Sequence, residues 1–259
     1  MNHFGPKIKK SEKPDGAQII IHYPHSIPIE NIDHTKNDII KVASIDPARK
    51  NYALRIEKWD LINNTITPII FDKFDFTDDE IESKNIIKYE TIYTNMTNIL
   101  NKYLDIFKEC HYIICEKQPP LCYKTVRVSQ HTISYFIEHL KDTINYPFII
   151  EVDPKFRCKI LNAPKKLAYD PLKEWMVQKA YEILQVRNDF ISLQILNKNK
   201  KKDDLADTVC QSLAVLIHFG FNINVEKMND DYTEFKGSNY TSPKQKKSSY
   251  ISVRFKNNS

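Results

Sequence analysis

IIKVASID (39–46), then NYALRIEKWD (51–60) after the four residues PARK, then TITPIIFDKF (65–74) are the stretches that decide the architecture. Each is a β-branched, apolar-rich run of strand length, and the gaps between them are short. Short gaps predict an antiparallel meander of three strands. The next periodic segment, NIIKYETIYTNMTNILNKYLDIF (85–107), sets Ile86, Tyr89, Ile92, Tyr93, Met96, Ile99, Leu100 and Tyr103 at helical spacing. HYIICE (111–116) then reads as a strand ending on an acid. A proline-containing stretch, KQPPLCYKTVRVSQ, leads into a helix around 129–141, and PFIIEV (147–152) gives a further strand. Helices are expected over 171–185, opened by Pro171, and over 203–219.

The expected order is therefore βββαβαβαα. It predicts an α/β protein with a mixed five-stranded sheet, a three-strand antiparallel meander followed by parallel strands, flanked by helices. This is the element order of the RNase H-like fold, which hosts nucleases, kinases and chaperone ATPases alike, so function has to come from side chains. Residues 1–38 mix Pro, Lys, Asp and His with one apolar patch at Ile19–Ile21, and read as a loosely ordered arm. Residues 39–227 form the expected domain of this fold, and 228–259 a basic, poorly ordered tail.

Composition removes several function classes. Only 4 of 259 residues are glycine and no GxGxxG or GxxxxGK[ST] occurs, so phosphate-loop NTPases and dinucleotide-binding enzymes lack their cradle, and no nucleotide cofactor is expected. Five cysteines, Cys110, Cys115, Cys122, Cys158 and Cys210, form no CxxC pair, which argues for a reduced, intracellular setting. No apolar run reaches the roughly 20 residues of a membrane span, and the start MNHFGPKIKKSEKPDG lacks a signal-peptide core. His22, His25 and His34 in the arm carry no specific metal spacing, and no GxSxG or HExxH is present.

Two acids stand where acids are costly. Asp46 ends the strand IIKVASID and Glu116 ends HYIIC; on neighbouring strands their carboxylates converge and require a compensating hard cation. Either alone also suits an ordinary surface strand end. In KKDDLADTVCQ (201–211), Asp204, Asp207 and Gln211 fall within about 60° of arc, while Leu205, Val209, Leu213 and Ile217 cover about 100° to 220°. Acids also serve helix first turns as caps, a role that Asp203 fits better than Asp207. Taken together, the four acids match the layout for two-metal phosphoryl transfer.

SIDPARKNYAL, IICEKQ and KKDDLADTVCQSLAVL resemble the three signature segments of the RuvC-like Holliday junction resolvases, above all the branch of poxviruses, other large DNA viruses and fungal mitochondria. The resemblance spans about residues 39–219. It implies a metal-dependent endonuclease that resolves four-way DNA junctions by paired phosphodiester hydrolysis. Asp46 would bridge two Mg²⁺ or Mn²⁺ ions, Glu116 would bind one, and Asp204 with Asp207 the other. It also implies a homodimer and, for a viral chain, work in the host cytoplasm. The family pattern IDxGxKN has a glycine that this chain replaces within Pro47-Ala48-Arg49-Lys50. The rival reading is a non-catalytic nucleic-acid-binding protein of the same fold.

The formal net charge is only +5, but residues 155–202 hold twelve basic residues against four acids, a net +8 that leaves −3 for the rest. A basic collar beside clustered acids suits a phosphodiester substrate. Expected DNA contacts are Lys50, Lys117, Lys124, Arg127, Lys155, Arg157, Lys165, Lys166, Lys201 and Lys202, with Tyr123 or Leu121, in the loop after Glu116, stacking on unpaired bases. Tyr123 serves equally well to pack the start of the next helix. Trp59 and Trp175 are expected in the core or at its rim.

Overall fold

The structure, a computed structural model, describes residues 19–22, 37–77, 88–143, 146–165, 167–221 and 223. The meander forms as expected: β2 (Ile39–Asp46) pairs antiparallel with β3 (Tyr52–Asp60), and β3 with β4 (Thr65–Phe74). β3 is nearly all buried, as befits a strand with a neighbour on each side. β4 alternates between exposed and half-buried positions because it is the sheet edge.

β5 (Tyr112–Glu116) and β6 (Phe148–Val152) add in parallel beside β2, and their residues are all buried. The sheet has six strands, not five. β1 (Ile19–His22), the apolar patch within the expected arm, pairs antiparallel with β6, and the order is β1-β6-β5-β2-β3-β4. Without β1 this is the strand order of the RNase H-like fold. His22 Nε2 lies 2.9 Å from Glu151 on β6, which ties β1 to its neighbour. His25 and His34 lie outside the described residues, as does the expected tail at 228–259.

Helices cover both faces. On one, α1 (Tyr89–Lys102), α2 (Leu104–Lys108) and α3 (Tyr123–Leu140) bury Ile92, Met96, Leu100, Phe107, Val128 and Phe136 against the sheet. The single helix expected over 85–107 breaks at Tyr103, whose φ of −111° leaves the helical range. α3 starts at Tyr123, six residues before the expected start. On the other face lie α4 (Pro154–Ile160), α5 (Tyr169–Val186), α6 (Phe190–Lys198) and α7 (Asp203–His218). α4 and α6 were not expected, although both carry a capping aspartate. Asp153 accepts the Lys155 N–H at 2.8 Å with Pro154 in the first turn, and Asp189 accepts the Ser192 N–H at 3.0 Å.

α7 lies between the sheet and α5, and every residue from Asp204 to Leu216 except Asp207 is buried. Beside it a charged network is sealed in the core. Arg55 Nη2 donates to Asp189 at 2.9 Å and Arg55 Nη1 to Ser192 Oγ at 2.9 Å. Glu57 accepts from Arg55, Ser212 and Trp59, and Arg187 stacks on Trp59 with its guanidinium carbon 4.5 Å from the ring centre. Trp59 is 2% exposed, a core residue, and Trp175 packs at the core rim. Among the described residues no helix is long and apolar enough to cross a membrane.

Candidate functional site

The parallel register of β2 and β5 pairs Ser44 with Ile114 and Ile45 with Cys115. Asp46 and Glu116 are each the next residue, so they leave adjacent strands side by side, about 4.8 Å apart along the pairing direction. Alternation places Val42, Ser44 and Asp46 on the same sheet face as Tyr112, Ile114 and Glu116, the face that α7 covers. α7 is held there by Gln211, whose Nε2 donates to Ser44 Oγ at 3.1 Å and to the carbonyls of Ile45 and Ile114, both at 3.3 Å. Gln211 shares a helix face with Asp204 and Asp207, so this staple sets how the helix that carries both aspartates meets the two strands that end in Asp46 and Glu116.

A cation completes the cluster. Arg157, one turn into α4, donates from Nη1 to Glu116, and its Nη2 lies 2.7 Å from Asp207 Oδ2. One guanidinium therefore spans a strand-end acid and a helix acid. Lys201 Nζ lies 2.7 Å from Asp204 Oδ1, and Lys173 Nζ 2.7 Å from Asp203 Oδ2. Burial, then the charges of Glu116 and Asp207, push the Asp46 carboxyl well above its usual range. Burial, offset by Arg157 and reinforced by Glu116, lifts Asp207 to about 7, and burial raises Asp204. The paired acids around it hold Arg157 firmly charged despite its burial. These are the marks of carboxylates gathered with too little compensating charge.

The chemistry of the donors, though not their spacing, suits a hard divalent cation. All four groups are carboxylates, and Asp204, only 8% exposed, has an Oδ2 that is buried and lacks a hydrogen-bond partner. Among the described residues, however, no three His, Cys, Asp or Glu side chains stand close enough together to hold an ion, and the Arg157 guanidinium lies between two of the candidates.

The expected DNA contacts divide in two. Lys50, Lys124, Arg127, Lys155, Lys165 and Lys201 are exposed, and Lys117 and Lys202 are half-buried. Lys166 lies outside the described residues. Tyr123, Lys124 and Arg127 stand on the first turns of α3, not in a loop, and Arg127 lies over the Tyr89 ring at 4.7 Å. Leu121 just before them is 95% exposed and Tyr123 57%. Arg157 departs from expectation: it is 7% exposed and its guanidinium is turned onto the carboxylates. The local signal for this was Asp153-Pro154, a helix start that carries Arg157 inward. Along α5, a groove of ≈ 670 Å³ is lined by Lys173, Tyr181 and Lys200 to Asp203. Lys202 Nζ donates to Tyr181 Oη there at 3.0 Å, and Lys73 Nζ to the Lys201 carbonyl at 2.8 Å. His111 sits at the opposite end of β5 from Glu116 and accepts the Lys41 N–H at 3.1 Å. His131 stacks on Tyr93 with ring centres 4.6 Å apart.

Sheet order and carboxylate placement together define an RNase H-like α/β protein with an acidic cluster at the carboxyl ends of its central strands. The chain is similar to the fowlpox virus resolvase solved in complex with Holliday junction DNA (21% identity, TM-score 0.47, 69% of this chain and 97% of that one). It is also similar to the yeast mitochondrial Holliday junction resolvase Ydc2 (17%, 0.48, 70% and 80%) and to Thermus thermophilus RuvC with its junction substrate (15%, 0.44, 68% and 92%). Among curated proteins it matches uncharacterized protein 170L of Invertebrate iridescent virus 6, 27% identical over 122 residues, 40% of this chain and 50% of that relative. The match thus spans about half the length of that curated relative. No family model matches the chain.

Proposed function

We propose that this chain is a divalent-metal-dependent endonuclease that resolves four-way DNA junctions, acting as a homodimer that makes paired incisions. The observation that carries the reading is the convergence of Asp46, Glu116, Asp204 and Asp207 from two strands and one helix beside a lysine-rich loop. Asp46, Glu116, Asp204 and Asp207 would be the residues to hold Mg²⁺ or Mn²⁺, which would supply Lewis-acid activation of water and neutralise charge on the scissile phosphodiester. The chain's own part is to hold the acids in place through Gln211, to balance their charge through Arg157 and Lys201, and to draw the DNA backbone in along the Lys200–Lys202 loop. Leu121 and Tyr123, exposed in the stretch that follows Glu116, are the side chains that would meet unstacked bases at a branch point. The reading carries with it residues 39–227 as the nuclease domain and an intracellular workplace, the host cytoplasm for a viral chain.

The test is incubation of the full chain with four-way junction and duplex DNA in Mg²⁺ or Mn²⁺, with Asp46→Asn in parallel. Symmetric nicks in the junction, absent with Asp46→Asn although it still binds, support the proposal. A wild type that binds the junction but leaves it intact in both metals overturns it in favour of a non-catalytic binding protein.

A further inference from the structure

Along α5, Tyr169, Lys173, Val177 and Tyr181 follow one another at four-residue spacing and form one stripe, with Asp170, Glu174 and Gln178 in the row beside it. Lys173, Val177, Tyr181 and that second row line the groove together with Lys200 to Asp203. Tyr169 stands one turn ahead of Lys173, whose Nζ lies 4.8 Å from the Tyr169 ring centre, and it is 70% exposed. Tyr181 is held more firmly. Its hydroxyl donates to Asn197 Oδ1 at 2.6 Å and accepts from Lys202 Nζ at 3.0 Å. That ammonium lies 5.5 Å from the ring centre, so it sits at the hydroxyl edge and leaves the faces of the ring to another partner. The two tyrosines are about 18 Å apart along the helix axis, the length of a few nucleotides.

Resting on the nuclease reading above, we propose that the α5 groove binds an unpaired DNA strand, its bases against Tyr169, Val177 and Tyr181 and its phosphates against Lys200 and Lys202. Aromatic and aliphatic side chains interleaved with ammonium groups match both parts of a single strand, whose bases are open to stacking. A duplex hides its base faces, and Asp170 and Glu174 would oppose its denser charge. The volume of ≈ 670 Å³ is that of a small-ligand cleft, too small to admit a duplex. Asp203 lines the groove and Asp204 of the acidic cluster is the next residue, so a strand opened at a branch point and laid here leads to the carboxylates.

The experiment titrates the full chain into a short fluorescent oligothymidylate in chelator, where cleavage plays no part, and repeats the titration with a duplex of equal length. Tyr181→Ala and Tyr169→Ala are each expected to weaken oligothymidylate binding by about ten-fold, while Tyr181→Phe, which keeps the ring, stays within about two-fold of wild type. Duplex affinity should hold in all three. Near-UV circular dichroism checks folding, and the exposed Tyr169 keeps the test decisive should Tyr181→Ala fail to fold. An oligothymidylate that wild type does not bind, or that the folded variants without a ring bind as tightly as wild type, overturns the inference. So does a duplex affinity that falls in step, which would make the groove a duplex surface. None of these results touches the nuclease reading, which junction cleavage by wild type and Asp46→Asn decides separately.

Discussion

Gln211 Nε2 donates to Ser44 Oγ at 3.1 Å across 167 positions of sequence, and the same amide reaches the carbonyls of Ile45 and Ile114. One side chain on α7 is thereby joined to β2 and β5, the strands that end in Asp46 and Glu116. It ties the helix that carries Asp204 and Asp207 to the two strands that carry Asp46 and Glu116.

Gln211→Ala is expected to destabilise the chain by about 1–3 kcal/mol, since it strips a buried donor from three acceptors. It should also lower kcat for junction cleavage while junction affinity stays near wild type. Urea unfolding and single-turnover cleavage measure the two effects. Unchanged kcat would show that the staple does not set the site geometry.

Asp207 gives a pH dependence whose sign is fixed. Its folded-state pKa, about 7, lies above the unfolded value, so the group favours folding below about pH 4 and that contribution is lost as pH rises through 7. In chelator, Asp207→Asn should therefore raise stability at pH 8, by up to about 4 kcal/mol, and have little effect near pH 4. Melting curves at the two pH values, with and without Mn²⁺, check this. Added metal should stabilise wild type and not the variant.

Asp189 caps α6 and anchors the buried Arg55. Asp189→Ala leaves a guanidinium with 0% exposure short of one of its anions, a loss expected to cost about 3–5 kcal/mol in urea titrations. A cost under 1 kcal/mol would mean that water or a rearranged Glu57 takes over.

The basic loop should reveal itself in salt dependence. Lys200→Ala and Lys202→Ala are each expected to lower the slope of log K against log salt for junction binding by about 0.9 for every phosphate left without its cation. Lys201→Ala should change it less, because Lys201 is committed to Asp204. Equal slopes for all three variants and wild type would place the DNA elsewhere.

Leu121→Ala and Tyr123→Ala remove exposed side chains, so stability should move by less than about 0.5 kcal/mol. Affinity for a four-way junction should fall while duplex binding holds, with Tyr123→Ala costing about 1–3 kcal/mol. Competition binding of junction against duplex reads the difference.

The meander, the two parallel strands and the acids at their ends were legible in the sequence because each is a local pattern. β-branched runs specify strands, and the acids punctuate them at fixed positions. The i, i+3 pair Asp204 and Asp207 was legible for the same reason, as helical spacing is intrinsic to the chain. Less was legible where short segments rely on distant partners. β1 has four residues and exists through its pairing with β6, and α4 and α6 span 7 and 9 residues, too short to show a period.

Arg157 marks the limit most sharply. By sequence it is one of twelve basic residues in a stretch that suits a DNA surface, and nothing nearby separates it from Lys155 or Lys165. Which acids are present, and which elements carry them, follows from local pattern alone. That α4 turns Arg157 onto Glu116 and Asp207 while its neighbours face solvent is a property of the folded chain, because electrostatic compensation acts through space between groups 41 and 50 positions away along the chain.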